Sequence, residues 1–147
     1  MKQHFDEYAS LYDAWFMENP NVLLSEARLV ALTLRGAGNI LSIGCGSGLF
    51  EKILHDEFGI VITDGIEPST DMAEIARRRG LNVTIATAEE ADFGAGKYNT
   101  ILFNGSPSYI TDLRGVVAKA YEALPAGGRV VLIDVPKESG YGMMYNL

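Results

Sequence analysis

Apolar residues recur along the first quarter of the chain at helical spacing. Phe5, Tyr8, Leu11, Tyr12, Trp15 and Phe16 fall three and four residues apart, which predicts a helix over 5–16. Asn19-Pro20 reads as the start of a second helix, with proline in its first turn. Leu23, Leu24, Ala27, Val30, Ala31 and Leu34 give that helix one apolar face, and Gly36 and Gly38 end it. The period then changes. Ile40 to Ile43 is a short apolar run that reads as a buried strand, and helical spacing follows at once over 49–58, with Leu49, Phe50, Ile53, Leu54 and Phe58 inward. Further strands are predicted over 60–66, 81–86, 97–103 and 129–135. Between them lie a helix opened by Pro68-Ser69-Thr70 and closed at Arg79 by Gly80, and another over 112–124 that leads into the turn at 125–128. Strands and helices alternate at βαβ spacing, so the fold class is α/β with a mainly parallel sheet. With 147 residues and neither a repeat nor a linker, the chain reads as one domain. Residues 1–37 would form a helical segment, 38–136 the core and 137–147 a tail.

In an open α/β sheet, ligands bind beyond the carboxyl ends of the strands. Four segments fall there and should converge on one crevice: 44–48, Glu67, 88–89 and 104–109. The first is the most specific. Ile40-Leu-Ser-Ile-Gly-Cys-Gly-Ser-Gly-Leu49 is a strand, a glycine loop and a helix start. Gly44 permits a tight turn, and Gly46 and Gly48 remove side chains that would hold a ligand away. The helix that follows points free N–H groups over the loop. A dinucleotide fingerprint needs a third glycine at position 49, which is Leu49, so a nicotinamide-dependent oxidoreductase is the weaker reading. Glu67 ends the second strand about 20 residues past the loop, where an acid accepts a hydrogen bond from each of two ribose hydroxyls.

The G-x-G-x-G spacing resembles the first motif of class I S-adenosylmethionine-dependent methyltransferases, and further segments extend the likeness from Tyr8 to about Val135. Residues 86–93, Ala-Thr-Ala-Glu-Glu-Ala-Asp-Phe, resemble that family's Gly-Asp-Ala-Glu-x-Leu-Pro-Phe. There the Asp contacts the adenine amino group and the next backbone N–H a ring nitrogen; here Thr87 stands in the Asp position and Ala88 keeps the backbone contact. Residues 125–133 resemble the family's turn into its fifth strand. Tyr12-Asp-Ala-Trp-Phe16 resembles an element that closes over the cofactor as a lid, with Tyr8 and Tyr12 as its candidate contacts. The family's loop after the fourth strand passes beneath the methionine part of the cofactor and faces the acceptor. The resemblance therefore implies a three-layer Rossmann-like fold of strand order 3-2-1-4-5 with N-terminal helices. It implies S-adenosyl-L-methionine as cofactor and methyl transfer to a small-molecule acceptor. Gly44, Cys45, Gly46, Gly48, Glu67, Pro68, Thr87, Ala88, Glu89, Asn104 and Tyr12 become the cofactor-site candidates. Tyr8, Ser106 and Tyr109 become the acceptor-side candidates, with Tyr12 and Asn104 bordering the same space. Methyl transfer is an in-line displacement from a good leaving group, so alignment matters more than acid–base residues. The sequence names no catalytic dyad.

The chain departs from the pattern at Ser42, where the family usually has Asp, at Thr87, and at Asn99, where an acid usually precedes the fourth strand. The family's sheet also has seven strands, and this chain ends about a dozen residues after its fifth. An exposed fifth strand invites pairing, so either a second copy covers it or the chain is a truncation. The alternative function is then a cofactor-binding or interaction module without catalysis.

Composition narrows the field further. A net charge of −7 makes phosphate-backbone recognition a poor fit, and the basic run Arg77-Arg78-Arg79 is explained by a helix C-terminus. No apolar run is long enough to span a membrane, and the first residues lack a signal-peptide core. A single Cys excludes a disulfide framework and a multi-Cys zinc site, and His4 and His55 lack partners at metal spacing, so no metal is expected. These features point to the cytoplasm.

Overall fold

The computed structural model describes residues 9–136 together with Glu138 and Ser139. Tyr8 and most of the expected tail over 137–147 lie outside the described residues. The chain runs through α1 (Ala9–Glu18), α2 (Pro20–Thr33), β1 (Ile40–Ile43), α3 (Leu49–Phe58), β2 (Asp64–Ile66), α4 (Thr70–Arg78), β3 (Asn82–Thr84), β4 (Thr100–Asn104), α5 (Leu113–Ala123) and β5 (Arg129–Ile133). The described strands form one sheet of order β3-β2-β1-β4-β5, parallel throughout. β1 is central, with Leu41 opposite Asp64 of β2 and Ile101 of β4.

Side chains alternate across a strand, and the core divides accordingly. Leu41, Ile43, Ile101 and Phe103 pack with Val116 and Ala120 of α5. Ile40 and Leu102 pack with Val30 and Ala31 of α2 and Leu54 of α3. Helices therefore cover both faces, as in the expected three layers. Polar groups fix the ends of the helices. The Ser69 hydroxyl accepts from the Met72 N–H at the start of α4, and Asp112 accepts from the Gly115 N–H at the start of α5.

The two strands that flank β1 begin later than their apolar runs suggest. β2 begins at Asp64 rather than at residue 60, because Leu41 is the first residue of β1 in register with it. Ile62 is still buried, packed with Leu54, so the run signals burial before the ladder begins. β4 begins at Thr100, opposite Ile40, while Tyr98 before it is buried and donates its hydroxyl to Asp64 at 2.6 Å. Asn99, in place of the expected acid, accepts from the Asn39 N–H at 2.9 Å and so ties the starts of β1 and β4 together.

Candidate active site

The turn after β1 is held by the neighbouring strand. The Gly44 and Cys45 N–H groups both donate to the Ile66 carbonyl, at 2.7 and 3.1 Å. Gly44, Gly46 and Gly48 all have positive φ, +69°, +57° and +73°, which is costly for any residue with a Cβ. Their surroundings differ. A Cβ on Gly44 would lie 2.5 Å from that of Ser106, and one on Gly48 would press on Ala76 of α4 at 3.2 Å. A Cβ on Gly46 would meet nothing within 4 Å. The room left by Gly48 is thus filled by α4, and Gly46 is the glycine whose missing side chain keeps the surface open.

Glu67 is buried directly beside this opening. Its carboxylate accepts from the Gly46 N–H at 2.8 Å and from the Ser69 N–H at 2.9 Å, one bond to each oxygen. Two backbone donors thus fix its rotamer and its distance from the loop. Pro68 follows on the way into α4.

The segment after β3 curls into a turn instead of running on as strand. The Thr87 hydroxyl accepts from the Glu90 N–H, and the Thr87 carbonyl from the Ala91 N–H. Lys119 of α5 clamps the turn, its ammonium donating to the carbonyls of Ala88, Glu89 and Ala91 at 2.6, 3.0 and 2.7 Å. The same ammonium lies 4.3 Å from the centre of the Phe93 ring. Partial burial lowers the Lys119 pKa. The Glu89 carboxylate accepts from the Thr111 and Asp112 N–H groups before α5. Its charge therefore steadies the approach to a helix N-terminus.

After β4, Asn104 is half-buried at the strand end, and Gly105 turns the chain with φ +69°. Ser106 is buried and donates to the Ile43 carbonyl at 2.8 Å, so its hydroxyl braces the loop from below. Tyr109 is 60% exposed at the end of a one-turn helix, Pro107–Tyr109. Tyr12 of α1 lies within electrostatic reach of Tyr109, so the first helix and the β4 loop approach each other. Burial and the Glu26 carboxylate push the Tyr12 hydroxyl pKa well up, which keeps it a neutral hydrogen-bonding group.

Cys45 does not have the setting of a nucleophile. It is buried among Ala73, Ala76, Leu81 and Val83, and burial first, then Glu51 and Glu67, pushes its pKa well up. Among the described residues no group of three or more His, Cys, Asp or Glu is placed to hold a metal ion.

Two contacts at the site escape any motif. Asp13, buried in α1, accepts from the Ser47 hydroxyl of the glycine loop and from the Arg79 guanidinium, both at 2.5 Å. Arg79 also donates to the Ser47 carbonyl at 2.8 Å, so the last residue of the basic run ties the first helix to the loop. Below the loop, Ser42 of β1 donates to Glu51 of α3 at 2.7 Å. Both are buried, and neither pairing is visible from local sequence.

A cleft of about 630 Å³ lies elsewhere, lined by Gly38, Asn39, Ile60, Thr63 and Lys97 among others. It opens at the amino ends of the strands, away from the glycine loop. The convergent donors and acceptors are at the carboxyl ends.

A parallel sheet whose central strand runs through a glycine loop into a helix, with an acid fixed at the end of the next strand, defines a Rossmann-like cofactor-binding domain. Residues 16–146 match the family described as a methyltransferase domain, and the chain belongs to that family. It is 33% identical over 142 residues to an uncharacterised protein of Methanocaldococcus jannaschii, covering 96% of this chain and 65% of that one. It is 29% identical over 132 residues to a malonyl-[acyl-carrier protein] O-methyltransferase of Acetivibrio thermocellus, covering 87% of this chain and 46% of the other. A Thermotoga maritima protein described as a SAM-dependent methyltransferase superimposes with a TM-score of 0.85 at 31% identity, over 97% of this chain and 65% of that structure. The chain thus spans between about half and two thirds of the length of these relatives.

Proposed function

We propose that this domain binds S-adenosylmethionine at the 44–48 loop and transfers its methyl group to a small-molecule acceptor. One observation carries the reading: the buried Glu67 carboxylate is fixed by the Gly46 N–H beside the one loop glycine with open space above it. A nucleoside with paired hydroxyls suits an acceptor held in that way. The cofactor would supply an activated methyl group on a positively charged sulfur.

The chain's own residues would do the rest. Glu67 would accept from both ribose hydroxyls, and Gly44, Cys45, Gly46 and Gly48 would present backbone at van der Waals distance to the methionine part. The Ala88 N–H, in a turn whose carbonyls are held by Lys119, would meet the adenine edge. Thr87 keeps its hydroxyl engaged in that turn and serves its shape. Pro68 and Glu89 would border the nucleoside. Tyr12, Asn104 and Tyr109 would line the acceptor side, with α1 closing over it. Aromatic faces there attract a sulfonium and exclude water, and alignment then supplies most of the rate.

Titration calorimetry with S-adenosylmethionine, S-adenosylhomocysteine and NAD tests the reading. Binding of both adenosyl ligands without NAD is expected, and NAD binding in their place would overturn it. Glu67→Gln should weaken both adenosyl ligands by ten- to a hundredfold, the scale of one lost charge-assisted hydrogen bond at about 1.5–3 kcal/mol. Transfer of labelled methyl groups to a panel of amine, hydroxyl and carbon acceptors then separates an enzyme from a module that only binds.

A further inference from the structure

Ser42 occupies the place before the glycine loop where the resembled family usually carries a carboxylate, yet a carboxylate is present there. Glu51 reaches back from α3, and its Oε1 accepts from the Ser42 hydroxyl at 2.7 Å. Glu51 is buried, 4% exposed. Its second oxygen, Oε2, is the single buried side-chain polar atom among the described residues with no hydrogen-bond partner. A buried acceptor of this kind is destabilising unless something donates to it.

The surroundings say what could donate. Among the described residues, Tyr12 of α1, Cys45 in the glycine loop, Glu67 after β2 and Arg79 after α4 interact with Glu51. The only cation in that set, Arg79, is engaged by Asp13 and the Ser47 carbonyl. Glu51 is therefore a buried carboxylate beside the loop whose second oxygen Arg79 does not reach with a hydrogen bond. Glu67 spends bonds on the loop and, in the reading above, on hydroxyls. A metal ion is a poor answer, since no cluster of ligating side chains forms there among the described residues.

We infer that Glu51 is a further cofactor-binding residue, held by Ser42, whose free oxygen receives the ammonium group of the bound methionine moiety, directly or through one ordered water. The inference rests on the proposed cofactor. The carboxylate has moved from the strand to the helix, and the strand keeps only the hydroxyl that orients it. Burial pushes the Glu51 pKa up to about 7, against the pull of Ser42 and of its own backbone N–H. Ligand binding near neutral pH would thus draw a proton off Glu51 as the ammonium arrives.

Two ligands separate this role from a structural one. S-adenosylhomocysteine carries the amino-acid group, and methylthioadenosine has the same nucleoside thioether without it. Both are titrated calorimetrically into wild type, Glu51→Gln and Ser42→Ala at pH 7.5. Glu51→Gln should weaken S-adenosylhomocysteine tenfold or more and leave methylthioadenosine within about twofold. Ser42→Ala should show the same selectivity at smaller size. At pH 6.5, titrations in buffers of differing ionisation heat should show proton release with wild type that is absent in Glu51→Gln. Equal weakening of both ligands, or of neither, would overturn the assignment. If wild type binds methylthioadenosine and S-adenosylhomocysteine equally well, the ammonium has no partner here and the inference fails while the cofactor reading stands. If it binds neither, both fall together.

Discussion

Single side chains in this domain are legible in proportion to how far their reason is local. The three loop glycines could be read from spacing, because positive φ is a property of the backbone at that position. Their division of labour could not, because it depends on what α4 and Ser106 bring opposite them. The distinction is testable. Gly46→Ala puts a methyl group into open space, so it should cost only the strain of its left-handed backbone, on the order of 1 kcal/mol, while lowering affinity for S-adenosylhomocysteine at least tenfold. Gly48→Ala pushes on Ala76 and should cost more stability for less affinity. Urea unfolding beside calorimetry gives both numbers, and a reversed ranking would contradict the assignment. Glu51 supplies a second residue-scale prediction. Its folded pKa, about 7, lies above the ordinary 4.5, so the folded state holds its proton more tightly than the unfolded chain. The associated stability is complete below about pH 4.5 and is lost as pH rises through 7. The gap corresponds to roughly 3 kcal/mol at most. Between pH 5.5 and 8 the wild type should lose stability relative to Glu51→Gln, which keeps an acceptor for Ser42 but cannot ionise. Parallel slopes in urea would show that Glu51 does not titrate in that window.

At the scale of elements, the alternation of helix and strand was legible throughout, and β1 and α3 begin and end where the apolar run and the glycines place them. The misplacements share one cause. Ile62 and Tyr98 are buried ahead of β2 and β4 but have no partner strand at that level, so packing extends beyond the ladder. The attachment of α1 was hidden for another reason: Asp13 meets Ser47 and Arg79 across 34 and 66 residues, and no local pattern encodes such a meeting. Arg79 could be explained by the helix C-terminus it follows, which masked its second task. Lys119 was missed in the same way, as an ordinary polar position on α5 that holds three carbonyls of the 88–91 turn. The Asp13–Arg79 pair is mostly shielded from water, at 12% and 20% side-chain exposure, so breaking it should cost more than a surface pair, on the order of 1–3 kcal/mol. Trp15, the one tryptophan of the chain, sits half-exposed on α1 and reports on it. In Arg79→Met, the urea transition followed by tryptophan fluorescence should precede the one followed by circular dichroism, because α1 leaves first. In wild type the two should coincide. Asp13→Asn should produce the same split, and the double variant should add little, as expected for residues that act through one contact.

For the whole molecule, the sheet order and the site follow from one rule. The crevice lies where the strand order turns, with β1 feeding the glycine loop, β2 the acid, and β4 the loop that faces α1. In the proposed reading β1, β2, β3 and β4 would all meet the ligand at their carboxyl ends, and occupancy should stabilise the fold as a unit. A ligand that binds only the folded state adds RT ln(1 + [L]/Kd), or about 2.7 kcal/mol at a hundredfold excess over Kd. For a chain of 147 residues this corresponds to a rise in Tm on the order of 5–10 °C. S-adenosylhomocysteine at that excess should produce such a rise in wild type. The rise should shrink strongly in Glu67→Gln, and NAD should produce none. If α1 closes over the ligand as proposed, the Asp13–Arg79 tie would extend the coupling to that helix. The ligand should then also bring the fluorescence and circular-dichroism transitions of Arg79→Met back together. If the Tm rises while those transitions stay apart, the ligand is held by the sheet crevice alone and α1 does not close over it.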